Sequence, residues 1–501
     1  MLTKKDLPTE NVHVEYKLAS KNKLPKSIWE TISSFSNTDG GKIYLGIDED
    51  IKTKELTING ITDFNKLKTN FLNTQSDKDK ISRSVVLEKN INLISIDGKN
   101  VMTIFVPKLN VKYRPIYLNG NIKLTYIREN DSDRKVSEEQ LKYLLRESDS
   151  DIDSVLLDNF NISDLNLIDI QSYQARLVEY TGNEEYLTSD YQSFLEKIGL
   201  IATDRTIENG KKKLRIAALL LFGKYNSIVE KFPNFFLDFI VRNNNQNKKI
   251  NDRIYTSNEP QHPQNIYSFF SMVSLKLQAI ITNELSLDKF KRVDSGEEMF
   301  NVVREGLVNS LVHADYGSKE QVKISYYDDY IVFQNPGDMR VSTSQFMIGG
   351  DSEARNPFIF NAFVRAKLGE RTGNGGLLIY DTSYRYKLRT PEIKSEFNRT
   401  VLTFWKIPLE ESVLNNIPKE YQETYKFMCK HLIVKFSDIK KLYKSEYQGH
   451  KILNGMVKDG YIEKDGERKG TRYSLPNASP TVQMIMNRMA KDVQDSLKKG
   501  R

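Results

Sequence analysis

The stretches NVHVEYK (residues 11–17) and ISSFSNTDGGKIYLGID (residues 32–48) decide how the first part of this chain is interpreted. The second stretch begins within a predicted amphipathic helix, which the Asn-Thr-Asp-Gly-Gly segment ends. KIYLGID then alternates apolar and polar residues, as a strand does. A further strand at residues 100–108 and a strand, loop and helix downstream complete the pattern. Together these elements predict an α/β module over residues 1–147.

Charged side chains recur along the predicted strands of this module. Side chains alternate along a strand, so Glu15 and Lys17 project from the same face. In KIYLGID the apolar residues face one way, which turns Asp48 to the other side, and Glu10 joins from the preceding loop. Carboxylates hold Mg²⁺ or Mn²⁺, and such an ion with a nearby lysine serves phosphodiester hydrolysis. We therefore predict that Glu10, Glu15 and Asp48 are metal ligands and, with Lys17, catalytic residues; the alternative is a solvated strand face with an ion pair.

The same segments, with YRPIYLNGNIKLTYIREND (residues 113–131), resemble the AlbA-like domain that bacterial regulators share with animal Schlafen proteins. Schlafen-type endoribonucleases use two glutamates five residues apart and an aspartate after the glycine-containing strand. The resemblance therefore implies catalytic roles for Glu10, Glu15 and Asp48. Many bacterial members are described only as DNA-binding regulators, so a binding role without cleavage stays open.

A second set of polar residues lies in REGLVNSLVHADY (residues 304–316), which reads as a helix. Glu305, Asn309 and His313 follow one another at intervals of four residues and share one stripe of that helix. Polar residues aligned beside an apolar face indicate the wall of a cleft. An ordinary amphipathic helix with a hydrated stripe is the alternative.

This helix and the blocks after it resemble the Bergerat-fold ATPases of the gyrase, histidine kinase and MutL type. REGLVNSLVHADY matches the N-box, in which Glu activates water and Asn holds Mg²⁺ on the phosphates. RTGNGGLLIY (residues 371–380) matches the lid with its glycine-rich turn, where backbone N–H groups approach phosphate. The Asp-x-Gly-x-Gly block that reads adenine is absent, and QNPGDM (residues 334–339) stands in its place. The resemblance implies that ATP is bound by Glu305, Asn309, His313, Gly373, Gly375 and Gly376. It also implies that Asn309 is a metal ligand.

The C-terminal region predicts a winged helix. DIKKLY (residues 438–443) and SEYQGHKILNGMVKDGYI (residues 445–462) indicate two helices, and YIEKDGERKGTRYSL (residues 461–475) indicates a hairpin. The second helix of such a module enters a major groove while basic residues contact phosphates. Docking to a protein is the alternative. The predicted nucleic-acid contacts are Lys441, Lys444, Lys451, Arg468, Lys469 and Arg472.

The bulk properties agree with a multidomain α/β protein. A chain of 501 residues exceeds one compact domain, and its net charge of +8 favours an acidic partner such as RNA or DNA. One cysteine fits a cytoplasmic location, and no apolar run is long enough to span a membrane. The predicted domains are an AlbA/Schlafen-like α/β domain (1–147), a connecting region (148–290), a Bergerat-like α/β sandwich (291–412), a winged helix (418–476) and a helical tail (477–501).

Three functional hypotheses follow. The first is a metal-dependent endonuclease that cuts RNA such as tRNA, in which the ATPase-like module is a nucleotide-responsive switch or the dimerisation element of a homo-oligomer. By analogy with Schlafen proteins it would act in defence against phage. The second is an ATP-gated, DNA-binding transcriptional regulator, and the third is an ATPase with an accessory nucleic-acid module. The three acidic residues favour the nuclease, because carboxylates repel phosphate unless a cation lies between them.

Overall fold

A computed structural model of the chain divides into two compact units, residues 1–150 and residues 151–501. Each unit has its own hydrophobic core. The structure describes residues 3–475 with internal gaps, and it leaves out residues 1–2, 5–6, 9, 20–22, 51–52, 149–151, 207, 209, 243–249, 287–294, 351–352, 370–372, 387, 397, 409–416, 432, 466–470 and 476–501.

The first unit is built on a four-stranded sheet in the order β1-β2-β6-β5, in which only the β1–β2 pair is parallel. Strands β7, β8 and β9 form a second sheet, and β3 pairs with β4. Helix α1 packs on the first sheet because Ile28, Ile32 and Phe35 share one face and are fully buried. The elements are β1 (Val14–Lys17), α1 (Ile28–Asn37), β2 (Gly41–Leu45), β3 (Ile47–Glu49), β4 (Leu56–Ile58), α2 (Phe64–Gln75), β5 (Ile91–Ile96), β6 (Lys99–Val106), β7 (Tyr117–Leu118), β8 (Asn121–Glu129), β9 (Ser132–Lys135) and α3 (Glu138–Ser148).

Gly46 interrupts the strand that the sequence predicts to run through residues 42–48. It adopts a φ of +110°, and a Cβ added there would lie 3.1 Å from the backbone of Gly60, so both the angle and the close approach require glycine. The interruption shifts the alternation of side chains by one residue. Leu45 packs in the core beneath α1, whereas Ile47 packs in a separate cluster with Tyr44.

The second unit contains a six-stranded sheet in the order β13-β12-β14-β15-β17-β16, in which only the β12–β14 pair is parallel. Its core is one large cluster that joins this sheet to the helices of the unit. The elements up to residue 405 are α4 (Leu167–Thr181), α5 (Glu185–Thr188), α6 (Tyr191–Lys197), β10 (Ile201–Thr203), β11 (Lys212–Leu214), α7 (Ile216–Phe222), α8 (Tyr225–Lys231), β12 (Leu237–Arg242), β13 (Ile250–Tyr255), α9 (Ile266–Ser286), α10 (Ser295–Val312), β14 (Val322–Tyr326), β15 (Tyr330–Pro336), α11 (Thr343–Ile348), α12 (Pro357–Arg365), α13 (Gly375–Arg385), β16 (Glu392–Glu396) and β17 (Arg399–Trp405).

The last part of the second unit has a small core of its own, formed around Met428, Leu453 and Met456. Helices α14, α15 and α16 surround a three-stranded sheet in the order β18-β20-β19. Residues 477–501, predicted as a helical tail, lie outside the described residues. Among the helices that the structure describes, none is long and apolar enough to cross a membrane. The elements are α14 (Lys419–Lys430), β18 (Ile433–Lys435), α15 (Phe436–Ile439), α16 (Glu446–Lys458), β19 (Glu463–Asp465) and β20 (Arg472–Ser474).

Candidate functional site

Three glutamates meet beside the first strand of the first unit. Glu15 projects from β1, Glu49 ends β3, and Glu10 lies in the segment before β1. The carboxyl group of Glu10 is within hydrogen-bonding range of both other carboxyl groups. Burial, followed by the nearby Glu49 and Glu15, raises the pKa of Glu10 to about 9. We refer to these three residues as the carboxyl cluster.

Two cations of the chain already contact Glu15, whose side chain is only 8% exposed. The guanidinium of Arg128, on β8, lies 2.6 Å from one carboxylate oxygen, and the ammonium of Lys17 lies 2.5 Å from the other. Arg128 is 1% exposed and also lies 2.9 Å from Asp133. Asp133 in turn accepts hydrogen bonds from two hydroxyl groups of α1. Arg128 therefore ties the carboxyl cluster to the interior of the unit.

The outer side of the carboxyl cluster faces Lys54, which is 53% exposed. Its ammonium lies 3.6 Å from Glu10, 3.4 Å from Glu49 and 3.3 Å from Asp131. An exposed lysine is held weakly, because water and salt screen its ion pairs. Lys54 is therefore the cation that an incoming ion would displace most easily.

The structure brings Glu10, Glu15 and Lys17 together but does not bring Asp48 to them. Neighbouring residues of a strand point to opposite sides, and Glu49 faces Glu10, so Asp48 faces away and is exposed. The sequence interpretation assumed unbroken alternation through Gly46. The glycine within the strand was the signal for a change of phase, because glycines inside strands often mark bulges.

The carboxyl cluster matches a hard divalent cation in the chemistry of its donors, which are all carboxyl oxygens. Burial, followed by the neighbouring carboxyl groups of Glu49 and Glu15, raises the pKa of Glu10 and so favours its protonated form. Within the described residues, however, no group of three or more His, Cys, Asp or Glu side chains has the geometry of a formed metal site. Binding of a cation therefore requires the carboxyl cluster to exchange at least one of its present cation contacts, of which the contact with exposed Lys54 is the most weakly held.

The second candidate site is a cleft in the second unit of about 880 Å³, including its open mouth. Helix α10, strands β15 and β17, and the turn before α13 all contribute to its lining. The apolar part comes from residues such as Phe333 and Leu402, which project from the sheet. The cleft is lined by all six residues predicted to hold a nucleotide, namely Glu305, Asn309, His313, Gly373, Gly375 and Gly376.

Glu305 lies against the first turn of α13. Its side-chain Oε1 accepts a hydrogen bond from Asn309 Nδ2 at 3.1 Å. A Cβ added at Gly375 would lie 1.9 Å from Glu305 Oε1, and one added at Gly376 would lie 2.0 Å from the carbonyl oxygen of Phe346. These glycines therefore permit α13 to pack closely against α10 and α11, a role beyond the approach to phosphate that the sequence suggested.

Polar residues that the sequence interpretation did not assign also line the cleft. Asn335 on β15 pairs with Thr400 on β17, and both contribute to the lining. The buried side chain of Arg340 lies on the same lining. Burial, followed by the charges of Arg355 and Arg340, lowers the pKa of His313 to about 4. The imidazole of His313 is therefore neutral at physiological pH.

The predicted nucleic-acid contacts of the C-terminal part are mostly at the surface. Lys451 lies on α16, Lys441 and Lys444 precede that helix, and Arg472 is on β20; all four are exposed. Arg468 and Lys469 lie outside the described residues. The four described cations belong to the small C-terminal module, which has its own hydrophobic core and three-stranded sheet.

Comparison with family models divides the chain into three matching regions. Residues 10–137 match the model described as "Schlafen, AlbA_2". Residues 142–238 match a domain of unknown function (DUF8451), and residues 319–404 match "Putative ATP-dependent DNA helicase recG C-terminal". The Schlafen match contains the carboxyl cluster, and the RecG match contains strands β15 and β17 of the cleft.

Two solved structures are similar to the chain. The DIP2311 protein of Corynebacterium diphtheriae is 16% identical, covers 96% of this chain and 94% of its own, and has a TM-score of 0.39. The N-terminal domain of a RecG-related protein of Nitrosomonas europaea is 25% identical, covers 26% of this chain and 88% of its own, and has a TM-score of 0.20. No curated protein matches. The chain thus carries, in order, a Schlafen AlbA_2 region, a region of unknown function and a RecG-type C-terminal region.

Proposed function

We propose that the chain binds ATP in the cleft of the second unit and uses it to control a metal-dependent endonuclease site at the carboxyl cluster. The observation that carries the nucleotide part is the convergence of all six predicted ligands on one cleft. The Schlafen AlbA_2 and RecG-type matches support the combination of nucleic-acid and nucleotide chemistry. The proposed substrate is RNA such as tRNA.

In the cleft, each residue has a role that its position supports. The first turn of α13 offers backbone N–H groups and the positive end of the helix dipole to phosphate. Asn309 would hold Mg²⁺ on the phosphates, and Glu305 would orient and deprotonate the attacking water. His313 adds no charge, because it is neutral at physiological pH.

At the carboxyl cluster, a bound Mg²⁺ or Mn²⁺ would polarise a phosphoryl oxygen and lower the pKa of a bound water. Glu10, Glu15 and Glu49 would hold it. Displacement of exposed Lys54 would open the outer side of the carboxyl cluster, and the ammonium of Lys17, beside Glu15, would stabilise charge on the phosphate. Arg128 would stay in place as the buried group that orients Glu15.

The nuclease part is tested by incubating the full chain with Mn²⁺ and a panel of tRNA, single-stranded DNA and duplex DNA. We expect cleavage of tRNA that EDTA stops, and loss of cleavage in Glu15→Ala with an unchanged circular dichroism spectrum. Retained cleavage in that variant would remove the assignment. If tRNA is cut, a plaque assay with and without the variant tests the proposed role in phage defence.

The nucleotide part is tested by calorimetric titration of the full chain with ATP and Mg²⁺. We expect binding by the native chain, and a Glu305→Ala variant that binds ATP but does not hydrolyse it. Light scattering with and without ATP tests whether the module also joins the chain into a homo-oligomer. A chain that binds no nucleotide would reduce the cleft to a structural element.

A second candidate function is that of an ATP-gated DNA-binding regulator that does not cut. The exposed cations of the C-terminal part favour it, together with an order of helices and strands that supports a winged helix. The present neutralisation of Glu15 by Arg128 and Lys17 also agrees with it. Duplex binding without Mn²⁺-dependent cleavage of any substrate would select this function over the nuclease.

A further inference from the structure

Helix α16 carries an exposed stripe formed by Tyr447, Lys451, Asn454 and Lys458. At 3.6 residues per turn these four side chains lie within about 60° of the helix circumference. Tyr447 is 81% exposed, which is the highest value among the large hydrophobic side chains that the structure describes. The opposite face is buried in the small core by Gly449, Leu453 and Met456.

The composition of the stripe differs from that of a helix that only meets phosphate. Asparagine offers an NH₂ donor group beside a carbonyl acceptor and pairs with the edge of adenine, and tyrosine offers a ring and a hydroxyl. Lysines flank them. No acidic residue falls on the stripe, because Glu446 and Asp459 lie about 80° beyond its two edges around the helix. The stripe therefore carries two kinds of group: side chains that can read base edges, and lysines that supply positive charge.

The helix is held firmly by its module, as a reading element must be. Ser445 caps it by accepting a hydrogen bond from the backbone N–H of Gln448. A Cβ at Gly449 would lie 2.5 Å from the ring of Tyr443 and 2.7 Å from that of Phe436, so the helix lies directly on these rings. The ring of His450 also stacks on Phe436, with 4.0 Å between centroids.

Cations flank the stripe on elements outside the helix. Lys441 and Lys444 precede α16, and Arg472 lies on β20; all three are exposed. The major groove of B-form DNA admits a helix with phosphates on both sides, whereas the deep major groove of A-form RNA is too narrow. The arrangement therefore favours duplex DNA over duplex RNA.

We propose that Tyr447 and Asn454 read base edges in the major groove of duplex DNA, so that the C-terminal module recognises a particular sequence. This inference rests on the proposed nucleic-acid binding by that module and adds the substrate class and the two reading residues. Lys451, between them, and Lys458 supply charge along the same groove. The proposal makes the C-terminal module a DNA reader whatever nucleic acid the carboxyl cluster acts on.

The test is a selection of duplexes with a randomised central segment by the full chain, without divalent cations. We expect enrichment of a common sequence that binds about tenfold or more tightly than its scrambled version. Asn454→Ala and Tyr447→Ala should bring the selected and scrambled duplexes to similar affinity while binding to the scrambled duplex persists. Both side chains are exposed, so the fold should not change.

Lys444→Ala and Arg472→Ala are the matched controls. Each variant should lower the affinity for the selected and the scrambled duplex by the same factor. Each should also lower the salt dependence of binding, because these residues contact phosphate alone. Binding to duplexes without enrichment, or variants of Tyr447 and Asn454 that keep the preference, would overturn this inference alone. An RNA hairpin bound with the same dependence on both residues would overturn it too. No binding to any duplex would overturn it together with the proposed DNA contact of the module.

Discussion

The carboxyl cluster and the cleft of the second unit differ in how their charges are satisfied. In the carboxyl cluster, acidic side chains from separate segments lie against Arg128, Lys17 and Lys54, so the site is filled by its own cations. The cleft is an open space with apolar walls and a few polar groups, and the carboxyl of Glu305 rests at the start of α13. The carboxyl cluster must exchange partners before it can bind a cation, whereas the second site is already an open cleft.

Because of this difference, we expect substitutions at the two sites to change different properties, namely stability at one and ligand affinity at the other. Removing a charge from the carboxyl cluster leaves another buried charge without its partner, so stability should respond before activity can be measured. Removing a group from the cleft leaves space or water in its place, so nucleotide affinity should respond while the fold remains. The predictions below test this contrast, beginning with the largest expected effect.

Arg128→Met should destabilise the first unit by about 3–5 kcal/mol, because Glu15 and Asp133 would lose their buried counter-ion. Urea unfolding followed by a probe in that unit measures the effect. The matched control is Arg134→Met, whose ion pair with Glu129 is exposed and should matter by about 0.5 kcal/mol or less. Equal, small effects of both changes would show that the carboxyl cluster is not tied to the interior.

The second unit should lose stability in acid through His313. Its pKa is lowered to about 4 in the folded chain, against about 6.5 in the unfolded chain, so it contributes stability above pH ~6.5 that is lost as the pH falls toward 4. The loss should reach at most about 3 kcal/mol. Urea unfolding near pH ~7.5 and ~4.5 should show a smaller change in His313→Asn. His13→Asn is the matched control, because His13 lies in the first unit and the measurement follows the unfolding of the second.

Gly375→Ala should weaken ATP binding by about tenfold or more, because the new methyl group would collide with the Glu305 carboxylate at the start of α13. Calorimetric titration measures this. The double variant Gly375→Ala, Glu305→Ala removes the collision and should recover binding without hydrolysis. Failure of the second change to restore affinity would mean that the contact between α10 and α13 does not shape the phosphate end of the cleft.

Lys54→Met should have the smallest effect, since Lys54 is exposed and its three ion pairs are screened. At physiological salt the melting temperature should hardly move. At low salt it should fall measurably, because the negative charges of Glu49 and Asp131 then lack their counter-ion. A large drop at high salt would mean that the outer side of the carboxyl cluster is as tightly held as the side facing Arg128.

The sequence predicts the cleft better than the carboxyl cluster for a physical reason. Glu305, Asn309 and His313 lie on one helix, whose periodicity alone brings them together, and the glycine turn is recognisable as a block. The carboxyl cluster depends on strand pairing, and a shift of one residue along a strand turns each side chain to the opposite face. Gly46 changes that alternation, so that Glu49 rather than Asp48 faces Glu10.

Other features were beyond reach of the sequence for the same kind of reason. Arg128 is more than a hundred residues from Glu15 along the chain, so no local pattern links them. The exposure of Tyr447 depends on which side of α16 packs against the small core. The spacing of apolar residues along the helix shows only that it has an apolar and a polar face. Both features follow from tertiary packing, which spacing does not encode.

The central claim is that Glu49, and not Asp48, completes the carboxyl cluster with Glu10 and Glu15. Calorimetric titration of the full chain with Mn²⁺, in the absence of nucleotide, tests it most directly. We expect binding by the native chain and by Asp48→Asn with similar affinity, and loss of binding in Glu49→Gln. Loss of binding in Asp48→Asn with retention in Glu49→Gln, or a native chain that binds no Mn²⁺, would contradict it.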